Sequence, residues 1–518
     1  MVPPHLELEL RFGLAPERIA ELAVCDWLQP RTVAPLVSRQ LRSIYFDNDK
    51  LALRRRGFAL RVRNDGTGWL QTLKRDTQAS PILWTRAEYE SPVAFGAPDL
   101  DSIPDLEVRE QLQKWTRKRP LVAIFETRVR RTTRRLQLGA STCLLEIDVG
   151  ELRAGDAVAP ICELELELER GDPARLFELA AELNAAIGLR FECDSKADRG
   201  YALYAGERAS PQRAAAIELD PQTDLGDGMT RIASSCAAQI VGNIAAARDG
   251  VDPEGVHQLR VGVRRLRAAL GAFKEVLPAQ EWMSLRRELR WLGIEAGRVR
   301  DMDVFVEEQL VPAARFIADP KPLDCLAADA ASMRSKLQAE LRETLASARF
   351  ARLMLALGQW LQRFSTEGIG RTVYHERLSR PVSELAAAAL ARGHARVREL
   401  GERAASGSIA DRHALRIELK KLRYVAESFA TLYPKKRSRR FLREMERLQE
   451  VLGGLNDVET ARRLAREIAE RADAASRSDL ERGACVIEGW TAQLAARSEQ
   501  KLSRCWQRFG AVRPFWES

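Results

Sequence analysis

The stretch Cys162-Glu163-Leu164-Glu165-Leu166-Glu167-Leu168-Glu169 alternates without a break. A period of two fits a β-strand and no helix, because successive strand side chains point to opposite faces. One face of this strand is therefore leucine and the other carboxylate. The pattern recurs through the first two hundred residues. Leu6, Leu8 and Leu10 share a face against Glu7, Glu9 and Arg11. Arg61 shares one with Arg63, Thr72 with Lys74, Arg86 with Glu88 and Glu90, Arg128 with Arg130, and Glu146 with Asp148. Turn signals such as Asn64-Asp65-Gly66 and Glu169-Arg170-Gly171-Asp172-Pro173 separate these segments, which predicts an antiparallel sheet.

A charged strand face usually lies in water. Here the signs segregate by strand. Glu7, Glu9, Glu163, Glu165 and Glu167 form one group, and Arg61, Arg63, Lys74, Arg128 and Arg130 another, whereas a solvated face mixes them. A closed antiparallel barrel with a polar lumen accounts for this, basic on one side and acidic on the other. Helices such as residues 173–186 would cover its apolar outer face. A membrane barrel also has a polar lumen. However, Met1-Val2-Pro3-Pro4 followed by Glu7 and Glu9 has neither the basic nor the apolar region of a secretion signal, and no apolar stretch is long enough for a membrane-spanning helix. Clustered carboxylates without histidine or cysteine suit Mg²⁺ or Mn²⁺ through oxygen. Arginines and lysines opposite them suit phosphate oxygens. The lumen thus predicts a polyphosphate guest and metal-assisted in-line attack by water.

The texture changes near residue 210. Arg208-Ala209-Ser210-Pro211, Asp220-Pro221 and Gly226-Asp227-Gly228 read as a linker, and beyond about 225 the chain runs in Ala/Leu/Arg/Glu segments at helical spacing. The predicted division is a barrel over residues 1–205, a linker over 206–224 and an all-helical part over 225–510, an α+β multidomain architecture. With 518 residues, the chain is long enough for several cores. Its eight cysteines contain no Cys-x-x-Cys pair, which argues against a zinc ribbon or disulfide framework and fits a reducing cytoplasm.

The helical part repeats itself. His257-Gln258-Leu259-Arg260 through Leu266-Arg267 parallels His413-Ala414-Leu415-Arg416 through Leu422-Arg423, and Asp301 parallels Asp457, in both cases 156 residues on (257 to 413, 301 to 457). Two motifs with one offset predict a duplicated helical bundle. On a helix, His257, Arg260, Arg264 and Arg267 fall along one stripe, with Leu259, Val263, Leu266 and Leu270 opposite as a core face. His413, Arg416, Lys420 and Arg423 repeat the stripe against Leu415, Leu419 and Leu422. Most charged helix faces are simply solvated. Four bases without an acid on the first stripe instead call for a bound polyanion. Asp301 and Asp457 read as groups that orient those arginines or cap a helix. The run from Lys435 to Arg440 reads as a basic loop, either widening the surface or simply solvated.

Glu7-x-Glu9-x-Arg11 resembles the ExExK signature of the CYTH superfamily, the triphosphate tunnel metalloenzymes. Tyr45-Phe46-Asp47, Leu60-Arg61-Val62-Arg63, Thr72-Leu73-Lys74, Arg86-x-Glu88-x-Glu90, Glu146-x-Asp148, Glu163-x-Glu165-x-Glu167 and Ser195-Lys196 match it in order. The resemblance implies that Glu7, Glu9, Glu163, Glu165 and Glu167 hold the metal. It also implies that Arg61, Arg63, Lys74, Arg128, Arg130 and Lys196 clamp phosphates, and that Glu7, Glu9 and Arg11 are catalytic. Arg11 stands where the family has lysine, which keeps the charge and changes the geometry. The helical repeat resembles the CHAD domain, and this implies inorganic-polyphosphate binding by both stripes. The order of the two is similar to that of bacterial inorganic triphosphatases. It implies metal-dependent hydrolysis of tripolyphosphate in the cytoplasm, with polyphosphate granules as a site of residence. The alternatives are a polyphosphate-binding granule protein without catalysis, and a thiamine or nucleoside triphosphatase or adenylate cyclase of the same superfamily. Nucleic acid fits less well: no helix-turn-helix or RNP signature occurs, and aromatic residues are only 6%, which leaves few stacking platforms.

Overall fold

The alternating segments become strands β1 (His5–Gly13), β2 (Val37–Asp47), β3 (Phe58–Asn64), β4 (Trp69–Asp76), β5 (Trp84–Val93), β6 (Val122–Leu138), β7 (Ser141–Ala154) and β8 (Ala157–Arg170) in the computed structural model of the chain. This structure describes residues 5–517 apart from 24, 77–79, 367, 406–407, 472 and 475, so Met1–Pro4 of the secretion-signal argument lie outside it. The strands pair antiparallel in the order β5-β4-β3-β2-β6-β7-β8-β1, and β1 pairs back with β5. The eight-stranded barrel is closed, which removes both sheet edges. Gly139 and Gly155, at φ of 63° and 58°, make the two-residue turns between β6 and β7 and between β7 and β8. Such turns need a positive φ that glycine adopts without steric cost.

Two units are formed, residues 1–210 with 345–362, and residues 211–344 with 363–518. In the first, Leu10 of β1 and Leu164, Leu166 and Leu168 of β8 are buried, whereas Leu6 is exposed, and the Ala174–Ile187 helix packs on both strands with Leu176, Phe177, Leu179 and Leu183. A second cover comes from far along the chain. The Ala348–Arg363 helix buries Phe350, Leu353, Met354, Leu357 and Leu361. Its Phe350 ring meets Phe191 edge-on at 6.4 Å, and Asn184 Nδ2 donates to the carbonyl of Ala348 at 2.9 Å. Gly358 permits this approach, since a Cβ there would lie 2.5 Å from the Phe177 ring. Phe350→Ala is expected to cost the first unit about 3–5 kcal/mol, the usual penalty for emptying a buried phenylalanine site. Hydrogen exchange should then rise in β1 and the Ala174–Ile187 helix. Unchanged exchange there would show that the helix is not part of that core.

The second unit is the duplication made visible. The helix Pro253–Ala272 has its counterpart in Ile409–Phe429, and Lys321–Ala346 in Arg477–Ala511, each beginning 156 residues later (253 to 409, 321 to 477). Leu225–Val241 matches Val382–Ala405. The long helix Lys435–Glu470 corresponds to a broken one: Met283–Val304, a π-helical turn Phe305–Leu310, and Val311–Ala314. Lys435–Arg440 is therefore the first turn and a half of a helix, not a loop. Leu259, Val263, Leu266 and Leu270, and Leu415, Leu419 and Leu422, are buried as their spacing requires. The Pro253–Ala272 and Ile409–Phe429 helices pack on each other, which brings the two copies of the stripe together.

Candidate functional site

The barrel lumen holds a cavity of about 550 Å³. Arg61, Arg63 and Lys74 enter it from β3 and β4, and Arg86 with Glu88 from β5. Glu7, Glu9, Glu165 and Glu167 enter from β1 and β8. Lys196 is the first residue of the Lys196–Ala205 helix, fixed by a capping box in which Ser195 and Asp198 exchange side-chain to backbone hydrogen bonds. Its ammonium lies among three carboxylates, 2.7 Å from Asp148, 2.9 Å from Glu165 and paired with Glu163. Oxygens of these three acids all lie within 4.8 Å of one another. They are hard donors that fit Mg²⁺ or Mn²⁺, and the lysine is the cation standing at their centre. Against the effect of burial, Lys196 and Arg131 hold Asp148 at about 2 and Glu165 well below the usual carboxylate range. Burial, with Glu7 and Glu146 nearby, pushes Glu167 up to about 8.

The remaining acids have other partners. Glu7 accepts from Lys74 at 2.6 and 2.7 Å. Glu163 also pairs with Arg199 and lies behind the cavity wall. Glu9 is 3.1 Å from Arg11 and 3.3 Å from Arg86. Arg11, only 2% exposed, does not line the cavity. Its guanidinium lies over the Trp84 ring at 4.1 Å, and its nitrogens find no hydrogen-bond acceptor among the described residues. In this structure Arg11 braces Glu9 and does not face a guest.

Arg128 and Arg130 are corrected: both are exposed on the outside of the barrel, Arg128 pairing with Glu126. Their neighbour Arg131 takes the lumen. It grips Asp148 through two nitrogens at 2.8 and 2.6 Å, Glu165 at 2.8 Å, and Glu146. Alternation alone could not choose, because Thr127-Arg128-Val129-Arg130-Arg131 has arginine on both faces and a bulge breaks the pairing of Tyr45 and Phe46 with β6. Arg86 and Asp148 stood in recognised motifs without an assigned role. Arg131 was missed, and its signal was the acidic run it faces on β7 and β8.

In the second unit, both stripes open into one cavity of about 420 Å³. His257, Arg260 and Arg264 face His413, Arg416 and Lys420, with Asp301 and Arg300 beside Asp457 and Asn456. Asp301 accepts from Arg260 at 3.0 Å, the orienting role read from sequence. Arg267 lies in an adjoining cavity that shares Arg264, Arg416 and Lys420. Arg423 is corrected: it lines neither cavity and lies 3.4 Å from Glu427, an acid one turn on that the first stripe lacks. The π-helical turn, present in the first copy only, puts Phe305 and Glu308 in the wall.

This pocket concentrates positive charge at a cost. Burial, Arg416 and Arg264 pull Lys420 down to about 7, and burial with Arg264 pulls Arg260 to about 10. A polyanion bound here would favour the protonated form of Lys420. Affinity for a polyanion is thus expected to be full below pH 7 and to fall as pH rises above it, by up to about tenfold per unit. Calorimetry in buffers of different ionisation enthalpy would register the proton taken up, and Lys420→Arg should flatten the profile.

Residues 5–201 match the CYTH domain and residues 231–466 the CHAD domain. An inorganic triphosphatase of Haemophilus influenzae is 29% identical over 198 residues, 38% of this chain and 54% of that protein, so the match spans about half the relative's length. The crystal structure of the CHAD domain from the plant Ricinus communis aligns at 30% identity with a TM-score of 0.51, covering 59% of this chain and 98% of that one. The chain belongs to both families: it is a CYTH domain followed by a CHAD domain.

Proposed function

We propose that the barrel is a metal-dependent inorganic triphosphatase acting on tripolyphosphate, and that the helical unit binds inorganic polyphosphate. The observation that carries the first part is a lumen in which β3 and β4 bring Arg61, Arg63 and Lys74, and β1, β7 and β8 bring Glu7, Glu9, Glu146, Glu165 and Glu167. Arg61, Arg63, Lys74 and Arg86 can hold phosphate oxygens through charge-assisted hydrogen bonds. Asp148, Glu163 and Glu165 would hold the divalent ion, which supplies charge neutralisation at the phosphate oxygens when bound. Glu167, near 8, is suited to exchange a proton with an attacking water close to neutral pH.

A nucleotide or thiamine ester would need a surface for its ring. The aromatic residues of the cavity are Tyr45, Phe58 and Tyr201, and each already contacts another ring: Tyr45 stacks on Phe125, Tyr201 meets Phe125 edge-on, and Phe58 meets Trp115. This favours an inorganic chain. The matching relative's name supports the same reaction class. For the helical unit, the support is the meeting of both basic stripes in one pocket. No helix of the described residues is long and apolar enough to cross a membrane, and residence at polyphosphate granules in the cytoplasm agrees with that.

The test is phosphate release by the full chain from tripolyphosphate, ATP and thiamine triphosphate, each with Mg²⁺ and Mn²⁺. Preference for tripolyphosphate is expected. Preference for an ester would move the reading to an organic triphosphatase, and no release with any pair would leave a barrel that only binds.

A further inference from the structure

The lumen continues beyond the cavity just described. β3 crosses the barrel from Phe58 to Asn64, and the two ends of this strand open into different spaces. The front cavity includes Gly57 and Phe58, where β3 begins. A rear cavity of about 570 Å³ includes Asp65, Thr67 and Leu70, from the turn after β3 and the strand beyond it. The two spaces have only Arg63, Arg131 and Glu146 in common.

These three residues form a waist, and its centre is stiff. Arg131 is bound to Asp148, Glu165 and Glu146 together, and Asp148 is 1% exposed. Swinging the guanidinium aside would strip buried Asp148 of its two-nitrogen contact and leave it Lys196 alone, a costly loss. Arg63 approaches from β3, separated from β6 by β2 alone, its Nε donating to the Ser43 hydroxyl at 3.2 Å. The bases that line the front cavity outnumber those behind the waist, where Arg39 is already 2.8 Å from Asp65. A phosphate chain entering from the front therefore meets a fixed cation at the waist and little to draw it further.

Resting on the triphosphatase reading, we infer that Arg131 is a specificity-determining residue: it stops the chain at the waist and so limits hydrolysis to short inorganic polyphosphates. The rear cavity lies beyond the reach of the substrate.

The test compares kcat/KM for tripolyphosphate with that for a polyphosphate of about ten times the length, in the full chain. In Arg131→Gln, which keeps an amide donor but opens the waist, the ratio of long to short is expected to rise about tenfold or more. An unchanged ratio in a folded variant that still hydrolyses tripolyphosphate overturns the inference and leaves the triphosphatase reading standing. A wild type inactive on tripolyphosphate sinks both. Thr67→Trp, which narrows the rear cavity from the turn after β3 and away from the strand positions paired with the waist, covers the case in which Arg131→Gln does not fold. It should leave tripolyphosphate turnover within about twofold of wild type, and a loss of turnover there would show that substrate passes the waist.

Discussion

Replacing Glu165 with glutamine is expected to lower tripolyphosphate hydrolysis by on the order of 100-fold or more, at least the loss seen when a metal site's supporting groups are removed. Glu165 is the one member of the Asp148–Glu163–Glu165 trio that also lines the cavity, so it is the one that belongs both to the candidate metal group and to the space for the guest. Glutamine keeps its shape and one oxygen but drops the charge that Lys196 and Arg131 hold in place. Polyphosphate retention by the second unit should be unaffected. Phosphate release and polyphosphate binding measured on one preparation would separate the two effects. Substantial turnover in a folded Glu165→Gln protein would place the metal elsewhere in the lumen. Glu7 and Glu9 would then be the next choices, although both are already engaged by bases.

Polyphosphate binding by the full chain is expected to disappear when Arg260, Arg264, Arg416 and Lys420 are all changed to alanine. All four line the same cavity, two from each copy of the repeat. Either pair alone should weaken long-chain binding comparably, by about tenfold or more, because each change removes charge-assisted hydrogen bonds. Binding should also weaken steeply with added salt and strengthen with chain length, since several phosphates exchange counterions for protein cations at once. Retention of long chains by the quadruple variant would put the site elsewhere on the unit. Tripolyphosphate hydrolysis serves as the control, as none of the four residues belongs to the barrel unit.

Alternation was a reliable guide where each strand face carried one kind of residue. β1, β3, β4 and β8 send Glu7, Glu9, Arg61, Arg63, Lys74, Glu165 and Glu167 into one lumen, as the period of two predicts. It failed on β6, where arginine occupies both faces and the pairing with β2 is bulged, so that Arg131 and not Arg130 points inward. Arg11 shows a different limit. Its face was read correctly, but the pull of the Trp84 ring on a flat cation is a contact between distant positions that spacing cannot reveal. The helical repeat was legible because two motifs shared one offset. The destination of the Ala348–Arg363 helix was not, since an apolar stripe states that a face will be covered and not which core will cover it. Arg423 continued its stripe by count, yet a neighbouring acid, Glu427, holds it outside the pocket.

The duplicated pocket has a consequence for the kind of ligand it can read. Most biological polymers have a direction, and a binding site distinguishes their two ends. A linear chain of identical phosphates has none. A pocket assembled from two equivalent halves, His257, Arg260 and Arg264 against His413, Arg416 and Lys420, offers nearly the same face to a chain arriving either way round. On the proposed reading such a chain would dock in both orientations, and moving it along by one unit would restore the same contacts. The bound state would then be many equivalent registers, a favourable entropy that a single fixed pose lacks. The equivalence is broken where Arg264 has Lys420 as its counterpart, Arg300 has Asn456, Val304 has Thr460, Phe305 has Ala461 and Glu308 has Leu464. Those differences are where this pocket could tell one end of a guest from the other.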